Sequence, residues 1–201
     1  MPGLNPKHNA ILIAIVVVTV VLVLVTALLN PIGTPIAGVI RVGALLGYVA
    51  VFLTSLASNY MRELTRYFGR TFITLHHAAS ITALASLAAH ASAVAWRSGA
   101  LRTFLPRFDS LQIFLSLGGR MAIWLFALTA LTALFRRKLR KAWRPIHWLN
   151  YVAFLLGTIH GQMIGQSFQY LGVRVVSAAM ALALIVIFVN KRVQRARRRR
   201  R

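Results

Sequence analysis

Six histidines stand in the 201-residue chain, and five of them fall within two apolar runs. His147 and His160 lie in WRPIHWLNYVAFLLGTIH at residues 143–160, and His76, His77 and His90 bracket HHAASITALASLAAH at 76–90. At about 1.5 Å of rise per residue, the histidines of either run stand roughly 20 Å apart along a helix, too far to share one metal. Each imidazole therefore needs a partner on the other helix, and the matched spacing supplies one at two depths. Neutral imidazole donates its lone pair well to a transition metal. Two imidazoles on opposite faces of a flat iron macrocycle fill both axial positions, which suits one-electron transfer rather than hydrolysis or oxygen binding.

The elements that carry these residues are set by composition. The chain is 58% apolar, has only Glu63 and Asp109 as acids, and has a mean hydropathy of +0.70. That is the mixture of a small polytopic membrane protein, all-α because an open strand cannot satisfy its backbone in lipid. The formal charge of +22 sits between and after the apolar runs, which marks anchors and topology signals and argues against nucleic acid as a partner. With no cysteine, there is no disulfide, no covalently attached haem and no thiolate-held iron-sulfur cluster.

Six spans are expected, at residues 10–29, 36–58, 71–95, 111–135, 145–164 and 173–190, with Pro145 tolerated in a first turn. The first is read as a retained span rather than a cleaved leader. Residues 1–192 then form one six-span haem-binding domain, and 193–201 a basic, disordered cytoplasmic tail. Eighteen lysines and arginines fall on the side of the termini and five on the other, Arg120 lying within a span. Both termini are therefore expected in the cytoplasm, with the chain in the inner (plasma) membrane.

Histidine in hydrocarbon is costly unless it pairs, binds metal or lines water. With span three and span five running the same way, His76 or His77 meets His147 near the cytoplasmic side, and His90 meets His160 deeper. At about 100 degrees per residue, His76 returns to the face of His90 within roughly 40 degrees, while His77 to His90 and His147 to His160 are each off by roughly 140 degrees. His76 is therefore favoured over His77, and the span-five pair fits a straight helix poorly. The alternative is that these histidines brace the bundle through polar contacts without a cofactor. Arg120 near the outer pair has a haem propionate as its expected partner, with Asp109, a carbonyl or the interface as alternatives. Arg70, Arg140, Lys141 and Arg144 are propionate or headgroup candidates on the inner side. Ala78, Ala79, Ala83, Ala85, Gly118, Gly119, Gly157 and Gly161 allow close approach of a porphyrin or a helix. Phe72, Trp124, Trp148, Tyr151 and Phe154 suit ring packing or an interface belt.

The stretch RRKLRKAWRPIHWLNYVAFLLGTIH resembles the ferric reductase-like transmembrane family, which includes the membrane core of NADPH oxidases. It is especially similar to the six-span haem subunit of the bacterial periplasmic methionine sulfoxide reductase system. The resemblance covers roughly residues 40–190 and implies that His76 pairs with His147 and His90 with His160, as metal ligands of two non-covalent haem b groups. It departs from the family at two points. The sulfoxide reductase subunits often lack the histidine found here as His76, and no GxGxxG or FAD and nicotinamide domain is expected in this chain.

The expected function is that of a transmembrane b-type cytochrome. A separate cytoplasmic flavoprotein reductase or membrane quinol would donate electrons, and an outer-side protein or small molecule would accept them. The alternatives are a single-haem, quinol-linked subunit of a periplasmic oxidoreductase and a non-redox membrane interaction subunit.

Overall fold

The computed structural model describes residues 33–68 and 71–199. The first expected span and Arg70 lie outside them. Among the described residues every regular element is helical. The helices are α1 (Pro35–Asn59), α2 (Met61–Phe68), α3 (Thr71–Ser98), α4 (Leu111–Ser116), α5 (Gly118–Leu134), α6 (Arg136–Leu139), α7 (Trp143–His147), α8 (Leu149–Ile164) and α9 (Leu171–Arg199). Short 3-10 turns at Leu101–Phe104 and Gln166–Gln169 complete the order. Thr34 caps α1 by accepting the Ala37 N–H at 3.3 Å, and Pro35 takes a position where no donor is needed.

Three helical segments are long and apolar enough to cross a bilayer, Pro35–Asn59, Ile73–Ser98 and Leu171–Gln194, and Gly118–Leu134 is apolar but shorter. The protein is thus a membrane protein of several apolar helices. Two expected continuous spans are interrupted. Gly118 and Gly119 are weak helix formers, and the ladder breaks at Leu117, where the Arg120 N–H turns back to the Leu117 carbonyl at 2.9 Å. The Ser116 carbonyl is thereby left without its helical donor. The fifth span breaks at Trp148, whose N–H is shared between the Arg144 and Pro145 carbonyls at 3.1 Å each. The last helix, in contrast, runs on as helix through Arg199, into the segment expected to be disordered.

The bundle is two close pairs with a brace. α1 crosses α3 most extensively, α5 lies along α8, and α9 packs on both α1 and α8. Gly43 and Gly47 make the first crossing tight: a Cβ on Gly43 would stand 2.8 Å from the Ser86 carbonyl oxygen, and one on Gly47 2.7 Å from the Leu87 side chain. Apolar side chains gain little from leaving lipid for protein, so such backbone proximity and interhelical hydrogen bonds carry the association. The core joins Phe52, Ala83, Ala122, Ala153, Phe154 and Leu184, with Tyr48 stacked on Phe154 at 4.7 Å. The histidine-bearing helices α3 and α8 pack chiefly on α1 and on α5 respectively, each also touches the other's main neighbour, and the two make little backbone contact with one another.

At the basic end, Lys191 pairs with Glu63 at 3.0 Å and sits 4.3 Å from the Tyr60 ring centre. The Arg192 guanidinium lies over Trp148 at 4.2 Å and Phe188 at 4.3 Å. These contacts tie α9 to α2 and to the junction of α7 and α8.

Candidate functional site

α3 is unbroken, so His76 and His90 keep the phase their spacing dictates. His147 ends α7 and His160 lies in α8, with the Trp148 junction between them. Trp148 keeps helical dihedrals and its N–H still reaches the Arg144 carbonyl, so the junction is slight and the phase difference between His147 and His160 stands. Both rings reach toward the α4–α5 side, His147 to the carbonyl of Thr129 and His160 to that of Ser116. All four rings are partly buried, and His76 and His90 are on a helix that makes little backbone contact with α8. His77 is exposed, with its ring centre 6.1 Å from that of His76.

The hydrogen bonds fix which nitrogen faces a ligand. His90 donates from Nδ1 to the Ile40 carbonyl at 2.7 Å, His160 to Ser116 at 2.6 Å, and His147 to Thr129 at 3.2 Å. A carbonyl only accepts, so each neutral ring carries its proton on Nδ1 and its lone pair on Nε2. This is the arrangement in which metal-ligating histidines are oriented and made more basic. The Ser116 acceptor is the carbonyl released by the break at Leu117. The Ile40 acceptor comes within reach because Gly43 lets α1 approach α3, where a Cβ would also lie 3.3 Å from the main-chain nitrogen of His90. His76 differs, because its Nδ1 is buried without a hydrogen-bond partner.

Two glycines shape the surroundings of His160. A Cβ on Gly119 would stand 2.9 Å from Cδ2 and 3.0 Å from Nε2 of its ring, whereas one on Gly157, about a turn earlier on α8, would meet nothing within 4 Å. Among the described residues no three His, Cys, Asp or Glu side chains converge as a bare metal site would require. Paired imidazoles do fit a haem, whose macrocycle brings four of the six donors. The oriented Nε2 atoms of His90, His147 and His160 agree with that fit, whereas the ring of His76, with Nδ1 unpartnered, is not oriented in the same way.

Arg120 donates to the Arg102 and Leu105 carbonyls at 3.3 and 3.2 Å, and Trp124 to the Phe104 carbonyl at 2.8 Å. Asp109 is engaged by Arg107 through two contacts of 2.8 and 3.0 Å. Arg120 thus fastens the 101–105 turn, and it is also near enough to act on His160. Of the expected packing aromatics, Phe154 turns to Tyr48, Trp148 to Arg192, and Tyr151 accepts from Asn59 at 2.8 Å. Arg144 lies beside Trp143 at 5.8 Å. Ala83 is buried, while Ala78 and Ala85 are exposed. Gly161 seats the Phe168 ring, 2.7 Å from where its Cβ would be.

Sequence reasoning missed Asn150 and Thr129. Thr129 is 1% exposed, its hydroxyl donates to Asn150 Oδ1, and Asn150 Nδ2 stands 3.4 Å from His147 Nε2. The only available signal was an amide three residues after a histidine in an otherwise apolar run.

Residues 37–158 match the family described as ferric reductase like transmembrane component. No curated protein and no solved structure matches the chain. The matched segment runs from α1 into α8 and includes His76, His90 and His147. Domains of this kind commonly bind haem and point to electron transfer within a membrane. With well over half of its length matched, the chain belongs to the ferric reductase-like transmembrane family.

Proposed function

We propose that this protein is a six-span b-type cytochrome of the inner (plasma) membrane, with both termini cytoplasmic and two haems held by His76 with His147 and by His90 with His160. The observation that carries this reading is the hydrogen bonding of Nδ1 in three of the four rings, which leaves Nε2 as the ligating atom. Haem, when bound, supplies a one-electron iron couple at each level. The chain's own residues do the rest. Ile40 and Ser116 fix two rings through their carbonyls, and Gly43 and Gly119 let those rings sit close to a neighbouring helix. The apolar surroundings exclude water, and Arg120 beside His160 supplies positive charge suited to a propionate.

In this reading a cytoplasmic flavoprotein reductase or membrane quinol supplies electrons, and an acceptor on the outer side receives them. The basic segment at 136–144 and the cationic end of α9 suit an acidic donor or anionic lipid. Haem counting by pyridine haemochrome, together with a low-spin b-type spectrum, tests the proposal. Two haems per chain are expected, and a colourless, stable, complete protein would overturn it.

A further inference from the structure

The two histidine levels differ in what surrounds the ligating nitrogen. At the His76/His147 level, three hydrogen-bonding groups have one self-consistent proton arrangement. His147 must carry its proton on Nδ1 to meet the Thr129 carbonyl, so its Nε2 is a bare lone pair. The group 3.4 Å away is therefore the Asn150 amide nitrogen, as donor. That orientation turns Asn150 Oδ1 to Thr129, whose single hydroxyl proton goes to this closer acceptor rather than to the Phe126 carbonyl 2.9 Å away. One threonine thus holds the ring through its carbonyl and the amide through its hydroxyl. The Nε2 atom of this histidine is consequently engaged by a protein donor.

We infer that Asn150, oriented by Thr129, is a positioning residue that competes with iron for Nε2 of His147 and makes the His76/His147 level the more readily emptied of the two. The inference rests on the haem reading above. Coordination requires the lone pair that the amide holds, so the 3.4 Å hydrogen bond must be given up. The opposing ring brings no compensation, because Nδ1 of His76 is buried without a partner to enhance its basicity. At the His90/His160 level the carbonyl bonds of 2.7 and 2.6 Å act only on Nδ1, and they assist coordination at Nε2.

The test uses the full chain carrying His90→Ala, so that only the His76/His147 level is bis-histidine, with excess apomyoglobin added to take up released haem. Adding Asn150→Ala is expected to slow haem transfer roughly three- to tenfold, the size of one displaced hydrogen bond. Thr129→Val, which keeps the carbonyl and removes the hydroxyl, should slow transfer in the same direction and serves if Asn150→Ala folds poorly. Transfer as fast as, or faster than, the parent's in both variants would overturn the inference while leaving the haem reading intact. A wild-type protein without haem would instead remove the reading under Proposed function, and this inference with it.

Discussion

The His90/His160 and His76/His147 levels use the same side chain at almost the same spacing, yet the backbone treats them differently. His160 receives a carbonyl released by the interruption at Leu117, and His90 one brought near by a glycine crossing. His147 shares the Thr129 carbonyl with the Thr132 hydroxyl, which donates to it at 2.9 Å. His76 has no partner for Nδ1. Histidine spacing therefore sets the depth of each imidazole, while the supply of main-chain acceptors decides which rings are held through Nδ1.

The most severe way to break the comparison is His90→Ala, which should lower the haem count from two to one and keep the His76/His147 haem, as read by pyridine haemochrome. Loss of both, or of neither, would show that the levels are not independent. Gly119→Leu attacks the same level without removing a ligand. A Cβ already lies 2.9 Å from the His160 ring, so haem occupancy there should fall severalfold, with a distorted low-spin EPR signal as the check. Gly157→Ala, which meets nothing within 4 Å, should leave the protein fold unchanged by thermal unfolding.

A subtler measurement is a potentiometric titration. The shorter Nδ1 bonds at His90 and His160 raise ligand basicity and favour ferric iron, so that level should have the lower midpoint potential. Coincident midpoints would remove the energetic side of the comparison. The smallest effect is expected from Glu63→Gln, a control lying outside both levels. Burial opposes ionisation of Glu63, but the Lys191 hydrogen bond and charge outweigh it and hold the carboxyl below its usual 4.5. Its contribution is therefore complete above that value and is lost as pH falls through the lower folded one. The pair is half exposed on the Glu63 side, so the loss should be under about 1 kcal/mol. Both haem levels should remain unaltered in that variant.

The all-helical membrane architecture was legible because apolar length is a property of the linear chain, although six spans were expected and three helices among the described residues are long and apolar enough to cross a bilayer. His76 was separable from His77 by phase alone, and the structure leaves His77 exposed. Phase fits His147 and His160 less well, and the turn at Trp148 between them keeps helical dihedrals. For Arg120 the sequence left a haem propionate, Asp109, a carbonyl and the interface open, and the fold presents carbonyls of a turn eighteen and fifteen residues away. Asn150 reads as an ordinary helix residue until α5 places Thr129 beside it.

The interruption before Gly118 also bears on how the apoprotein holds together. A main-chain oxygen released at membrane depth needs a donor, and the imidazole of His160 provides it at 2.6 Å. The ring thus closes a gap in the main-chain hydrogen bonding, a role separate from the ligation proposed for it. Replacing it by an alkyl group should impair insertion and assembly of the apoprotein, whereas the same change at His76, whose Nδ1 caps nothing, should spare them.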